Sequence, residues 1–252
     1  MPLAEENVRP SRSRFRLLLQ REIGRWLGPI WIPIVALLLV LSYRIESLET
    51  VRREYRRIRR ETRGPLLLCA NHLTLIDSAI VAWALGSPWW YVTHYSALPW
   101  NLPEQRNFGA TWLSRSLSYL MKCLPIVRGG DRQAVARVLD DFTYFLSRGE
   151  AGLVFPEGGR SRSGRVEIDS AAHGVGRIVS ALPGCRVVCV YLRGDHQEAY
   201  TDMPARREHF HVELTSLEPR TKARGLRGSL DIARQITARL SEMEQRYFDA
   251  RK

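Results

Sequence analysis

The chain has 252 residues, 45% of them hydrophobic and 25% charged, which is ordinary for a globular protein and enough to bury one good-sized core with an appendage. Its formal net charge is +12, and the basic residues are nearly all arginine, the only lysines being Lys122, Lys222 and Lys252. Such a balance calls for an anionic partner (nucleic acid, an anionic membrane surface or a phosphorylated substrate), while four cysteines with no C-x-x-C pair (Cys69, Cys123, Cys185 and Cys189) exclude a zinc knuckle or disulfide frame and read as small buried hydrophobes.

Residues 26–43, WLGPIWIPIVALLLVLSY, carry no charge over 18 positions, the lower limit for a bilayer-spanning helix. Gly28, Pro29 and Pro33 interrupt the first half, so a straight helix is not expected there. Arginines flank both ends, from Arg9 to Arg25 before it and from Arg44 to Arg63 after it, so the positive-inside rule selects no orientation. That symmetry fits a kinked segment dipping into one leaflet with both ends on the cytoplasmic side; a true span and a buried core helix are the alternatives. Trp26, Trp31 and Tyr43 are placed as interfacial aromatics. The Arg-rich stretch 52–63 reads as a solvated helix face near anionic headgroups, and it lacks the aromatic interleaving of a nucleic-acid patch.

From Gly64 onward short apolar runs alternate with helical patterns, which predicts an α/β fold with a mixed central sheet flanked by helices. Strands are expected at Leu66–Ala70, Trp89–Thr93, Gly152–Phe155 and Arg186–Leu192, with a very short one at Ile126–Val127 and an edge strand at His209–Thr215. Ile76–Leu85 reads as a helix, and residues 95–120 as ambiguous. After Asp131, a predicted N-cap, apolar residues recur at helical spacing as far as Leu146, and Gly149 closes the helix. Leu230, Ile236, Leu240 and Tyr247 mark an amphipathic C-terminal helix. Two parts result: a basic, membrane-associating segment over residues 1–63 and a domain over residues 64–252.

Two stretches carry chemistry. Asn71-His72 follows the first strand, and Asp77 comes five positions after His72. On a straight helix that offset is about 140°, so the two side chains meet only if His72 lies in the strand-to-helix turn. There, a carboxylate would fix the imidazole tautomer while the other ring nitrogen accepts a proton from a hydroxyl. Taken alone, the pair fits a structural histidine as well. The second stretch, Phe155-Pro156-Glu157-Gly158-Gly159-Arg160-Ser161-Arg162, places glycines that permit close backbone approach beside arginines that grip phosphate oxygens. A solvated glycine turn is its alternative. His209-x-His211 offers two ligands on one strand face without a third, too few for a metal site.

Together these motifs resemble the glycerolipid acyltransferases, the lysophospholipid or 1-acylglycerol-3-phosphate acyltransferases, over roughly residues 60–215. Asn71, His72 and Asp77 match the family's N-H-x4-D; Phe155, Pro156, Glu157, Gly158, Arg160 and Ser161 match its F-P-E-G-T-R-S, with Gly159 in place of the threonine. Leu124-Pro125-Ile126-Val127-Arg128 looks like the second motif. Val187-Val188-Cys189-Val190-Tyr191 looks like the fourth, with Cys189 where the family has proline. Ala171-Ala172-His173-Gly174 stands where the family has F-x-x-G.

The resemblance implies a membrane-bound enzyme on the cytoplasmic face of a bacterial inner membrane. It would move an acyl group from an acyl-CoA or acyl-carrier-protein thioester to the hydroxyl of a lysophospholipid. His72 would be the base and Asp77 its orienter. Asn71, Arg128, Glu157, Gly158, Gly159 and Arg160 would form the acceptor site. No cofactor, metal or nucleic acid enters that scheme; membrane lipids, the thioester donor and acyl carrier protein are its partners. Loss of the motif threonine enlarges the site, so the same chemistry on an acylated amino-acid lipid or glycolipid precursor stands beside it. A non-enzymatic lipid-binding protein on the same fold and a basic nucleic-acid-binding protein are the other readings.

Overall fold

The computed structural model describes residues 12–105, 111–127 and 129–252. Two helices open it, α1 (Arg12–Trp26) and α2 (Gly28–Ser42), followed by β1 (Arg44–Ile45) and α3 (Leu48–Glu61). Then come β2 (Leu66–Ala70), α4 (Asp77–Leu85), α5 (Pro88–Thr93), β3 (Trp100–Asn101) and α6 (Trp112–Leu120). The remainder is α7 (Arg132–Ser147), β4 (Ala151–Val154), α8 (His173–Ser180), β5 (Arg186–Gly194), β6 (His209–Leu217) and α9 (Gly225–Asp249).

The six strands form one mixed sheet in the order β1-β6-β5-β2-β4-β3, in which only the β5–β6 pair is antiparallel. β2 lies near the middle, and all five of its residues are buried. Alternation splits them. Leu67 and Cys69 join a core with α7, α8 and α9, whereas Leu66, Leu68 and Ala70 join a second core with α3 and α4. Helices thus cover both faces, which is why β2 reads as an unbroken apolar run.

Several expectations hold and others are corrected. Asp131 caps α7 by accepting from the N–H groups of Gln133 and Ala134, and Gly149 (φ +84°) follows its end in the left-handed region. The four cysteines are buried and free. Trp89–Thr93 is helix, not strand. Ser87 accepts a hydrogen bond from the Trp90 N–H and Pro88 opens the first turn, so capping chemistry overrides the aromatic β-preference. β1 pairs with His209–Thr215 only at His209 and Phe210, so beyond Phe210 the strand is an edge among the described residues. Ile126 makes only an isolated bridge to Glu104. The boundary expected at residue 63 falls inside a packed unit: β1 belongs to the sheet, and Val51, Tyr55 and Ile58 of α3 fill the second core.

α1 and α2 meet at a 73° bend, where Gly28 and Pro29 follow Leu27. No single helix among the described residues is long and apolar enough to cross a membrane; the bent pair passes that test only together. α1 is docked by polar contacts. Ser13 and Arg14 bond Asp141 of α7, Gln20 donates to the Tyr119 carbonyl, and Arg21 Nε lies 2.7 Å from Glu150 Oε1. α2 turns Trp31, Ile32 and Leu39 inward and leaves Ile30, Ile34, Leu37, Leu38 and Leu41 exposed. Of the three aromatics expected at an interface, only Trp26 is exposed, at 82%. Trp31 is buried with its indole N–H on the Gly24 carbonyl, and Tyr43 packs edge-on against Phe210.

Candidate active site

β2 ends at Ala70, at the carboxyl edge of the parallel strands, where open α/β sheets place their ligand sites. Asn71 is buried beyond it. Its amide donates to the Leu192 carbonyl (2.9 Å) and accepts from the Leu192 N–H (2.8 Å), so the side chain continues the β2–β5 ladder by one rung. That fixes where the next residue leaves the sheet. Residues 72–76 then form the turn that enters α4.

His72 lies in this turn and Asp77 begins the helix, the one arrangement in which an offset of five brings them together. Asp77 is 1% exposed, and its Oδ2 sits 3.0 Å from His72 Nδ1. The same oxygen accepts the N–H groups of Leu73 (2.6 Å) and Thr74 (2.8 Å), while the Thr74 hydroxyl donates to Oδ1. A carboxylate in the first helical turn also favours the positive end of the helix dipole. With Asp77 accepting, Nδ1 carries the proton and Nε2 keeps its lone pair. The ring stacks on Phe155, with centroids 3.9 Å apart and planes 13° from parallel.

The glycine turn after β4 comes to the same place. Ser161 N–H donates to the His72 carbonyl (3.0 Å), joining the two stretches through the backbone. The Gly158 N–H closes a tight turn on the Phe155 carbonyl (2.9 Å), with Gly158 at φ +69°. A β-carbon at Gly158 would stand 3.1 Å from the Ala172 methyl, so strain and crowding both favour glycine. Gly159 follows, half-buried.

Glu157 lies under the turn. Its Oε2 accepts from the Glu167 N–H (3.3 Å), and its Oε1 is buried with no partner among the described residues. Burial pushes the carboxyl up to about 7; the Glu244 and Glu167 carboxylates add to the rise, and backbone N–H groups of Glu167 and His72 oppose it. Arg160 Nη1 donates to Asp202 Oδ1 (2.7 Å) and to the Thr201 carbonyl (2.9 Å), with Tyr200 facing its guanidinium at 5.1 Å. The loop bearing Asp202 is itself tied to the His72 turn, by Leu75 N–H to the Asp202 carbonyl and Thr201 N–H to the Leu73 carbonyl.

The structure therefore brings together His72, Asp77, Glu157, Gly158, Gly159 and Arg160. Asn71 faces β5 rather than the turn. Arg128 lies outside the described residues. Reasoning from sequence missed Thr74, although Thr74-x-x-Asp77 has the spacing of a capping box, and it missed Asp202, which no local signal marks. From Ser78, next to Asp77, a narrow apolar groove runs between α2 and α4 to Tyr91.

A family model described as Acyltransferase matches residues 43–193, more than half of the chain. The chain belongs to the acyltransferase family. It is accordingly an acyltransferase enzyme, and the matched span begins at Tyr43, the residue before β1, and ends in β5. The same comparison made against curated proteins finds no match. Within this acyltransferase the His72 turn and the glycine turn lie against each other, joined by the bond from Ser161 N–H to the His72 carbonyl. The buried Asp77 is positioned to stabilise an imidazolium forming on His72.

Proposed function

We propose that this acyltransferase moves a fatty acyl group from an acyl-CoA or acyl-carrier-protein thioester to the hydroxyl of a lysophospholipid, with 1-acylglycerol-3-phosphate as acceptor and phosphatidic acid as product. The observation that carries the proposal is the hydrogen-bonded His72–Asp77 pair joined by the backbone to the glycine turn.

His72 Nε2 takes the acceptor's hydroxyl proton as the oxygen attacks the thioester carbonyl. Asp77 holds the ring and stabilises the imidazolium. The tetrahedral intermediate collapses, the carbon–sulfur bond breaks, and the imidazolium returns the proton to the departing thiolate. Thiol and ester leave with all atoms accounted for, and no acyl-enzyme forms. Arg160 and Arg128 bind the acceptor's phosphate, Glu157 meets its glycerol portion, and Gly158 and Gly159 let the backbone approach. Asn71 acts on this site by holding the end of β2. The apolar groove beside Ser78 receives an acyl chain.

Both acceptor and product remain in lipid, so the reaction needs an enzyme at the membrane surface. The exposed apolar row of α2 supports a helix lying in one leaflet, on the cytoplasmic side of a bacterial inner membrane. A second reading keeps the chemistry and changes the acceptor to one of lower charge, such as an acylated amino-acid lipid. Gly159 and the pairing of Arg160 with Asp202 favour it.

The test is acyl transfer from labelled acyl-CoA and acyl carrier protein to a panel of lysolipids, with His72→Ala run beside the wild type. Product formed with lysophosphatidic acid and lost in the variant is the expected result. Product with another acceptor alone supports the second reading. An active His72→Ala variant removes the base assignment.

A further inference from the structure

α3 carries nine charged residues besides its apolar face, and its arginines divide into two groups. Two arginines are compensated: Arg52 reaches Glu49, and Arg57 pairs with Glu54 and Glu61. Four others, Arg53, Arg56, Arg59 and Arg60, gather along one stripe with Glu49 among them. Among the described residues Arg53, Arg59 and Arg60 have no carboxylate within ion-pair distance, and Arg56 has only the exposed Glu49 at 3.9 Å. Like charges at spacings of three and four destabilise a helix, so this stripe carries a cost that a bound anion would relieve.

Arg53, Arg56 and Arg60 are exposed and Arg59 is half-buried. With Trp90 of α5 and His94 just beyond that helix, the stripe lines an open cleft of about 330 Å³. The two rings stack, with centroids 5.4 Å apart, and Tyr55 meets Trp90 edge-on beneath them. Planar guanidinium groups suit bidentate contact with phosphate oxygens. The cleft is separate from the His72 site. Arg52 donates to the Trp83 carbonyl in the last turn of α4, which puts this arginine at the end of that helix opposite to Asp77, about 9 Å away along its axis.

Its neighbourhood identifies the source of the anion. α5, one wall of the cleft, is also the helix against which α2 packs. Trp89, adjacent to Trp90, is 68% exposed, as is Leu41 on the apolar row of α2. A cationic cleft bordered by exposed apolar and tryptophan side chains matches the headgroup layer of a membrane.

We propose that the cleft formed by Arg53, Arg56, Arg59, Arg60, Trp90 and His94 binds the phosphate of an anionic phospholipid headgroup, as a site distinct from that of the acceptor. A lipid held there fixes the height and tilt of the enzyme on the membrane. The proposal rests on the reading of α2 as lipid-facing, and the two fail differently: binding to neutral vesicles reports α2, whereas the increment on anionic vesicles reports the cleft. Neither measurement requires acyl transfer.

The experiment compares the full-length protein, a variant with Arg53, Arg56, Arg59 and Arg60 all changed to Gln, and a control with Lys222, Arg224, Arg227 and Arg234 changed to Gln, which removes the same charge elsewhere. Circular dichroism first establishes that all three are folded. Co-sedimentation is measured with phosphatidylcholine vesicles, with and without phosphatidylglycerol. The expected result is that anionic lipid tightens wild-type binding by about tenfold or more, that the cleft variant loses that increment, and that the control keeps most of it. Soluble dihexanoyl-phosphatidylglycerol should change tryptophan emission saturably in the wild type and not in Trp90→Phe. Equal losses in both quadruple variants would overturn the cleft in favour of diffuse charge. Saturation by inorganic phosphate at the same concentrations would make it a free-phosphate site. Binding of acyl carrier protein that depends on the four arginines, without the vesicle increment, would assign it to a protein partner.

Discussion

Asp77 Oδ2 lies 3.0 Å from His72 Nδ1 and also accepts the backbone N–H groups of Leu73 and Thr74. One buried oxygen therefore does two jobs, holding the imidazole and closing the turn that presents it. Asp77→Asn separates them. An amide oxygen in the same place still accepts from all three donors, and the Thr74 hydroxyl can accept from the amide nitrogen, but the negative charge is gone. The variant is expected to fold and to lose about 10²- to 10⁴-fold in kcat/KM. Because the pair acts as a unit, adding Asp77→Asn to His72→Ala should cost little more than His72→Ala alone. Steady-state kinetics on the single and double variants check this, and a fully active Asp77→Asn would remove Asp77 from the mechanism.

Glu157 makes stability depend on pH in a direction unlike most carboxylates. Its folded-state pKa of about 7 lies above the ordinary 4.5, because burial disfavours the charged form. Between those values the folded protein holds a proton that the unfolded chain has released. The stabilising contribution is fully present below about pH 4.5 and is lost as pH rises through 7. Glu157→Gln imitates the protonated group at every pH. Relative to that variant, the wild type should lose on the order of 2–3 kcal/mol between pH 4.5 and 8. Urea unfolding of both proteins at the two pH values measures the difference, in which other titrating groups cancel. A gap that does not change with pH would show that Glu157 ionises freely.

Glu150 is the acid that fastens α1 to the body of the enzyme. Its carboxylate meets Arg21 at 2.7 Å, the fully buried Lys122 ammonium at 2.5 Å and the Trp100 indole N–H at 3.2 Å. Burial alone would raise the Glu150 carboxyl, yet Lys122 and Arg21 more than offset it and hold it below the ordinary value. Lys122 also donates to the carbonyls of Tyr95 and Leu98, so three acceptors surround a charge with no access to water. Removing its counter-charge by Glu150→Ala should cost about 3–5 kcal/mol. Arg21, partly exposed, can be solvated when unpaired, so Arg21→Ala should cost clearly less. Denaturant titrations of the two variants give the ranking, and equal losses would contradict it.

How much of this was legible in the sequence follows from the range of each interaction. β2 and α7 were readable because burial on two faces and a local cap write themselves into adjacent residues. The break between α1 and α2 was announced by Gly28 and Pro29. Trp89–Thr93 misled because aromatic residues favour strands, while the Ser87-Pro88 start that decides the matter is only two residues long. His72 and Asp77 were identifiable as a pair, but their meeting depended on the turn geometry. Asn71 could be named but not understood, since its partner Leu192 is 121 positions away. The elevated pKa of Glu157 owes part of its origin to Glu244 on α9, and the Lys122–Glu150 pair joins residues 28 positions apart. Charge compensation across elements leaves no periodic trace in sequence.

Arg160 and Asp202 lie 42 positions apart and form an ion pair at 2.7 Å at the mouth of the site. Asp202 is largely exposed, so the pair contributes little to stability, and Asp202→Ala should change it by less than about 1 kcal/mol. Its backbone carbonyl keeps the bond from Leu75 N–H, so the loop stays anchored to the His72 turn. What changes is the charge available to the acceptor. With Asp202 present, one guanidinium nitrogen is occupied and part of the positive field is neutralised; without it, Arg160 can give both nitrogens to a phosphate. For lysophosphatidic acid the variant should lower KM by roughly tenfold, the order of a charge-assisted hydrogen bond, with kcat little altered. For a lysolipid without a phosphomonoester the KM should not fall. Arg160→Ala should raise KM for the phosphate acceptor and leave the other nearly unchanged. Kinetics of the two variants on the two acceptors separate selection from scaffolding: a uniform change in kcat on both would mean that the pair only braces the loop.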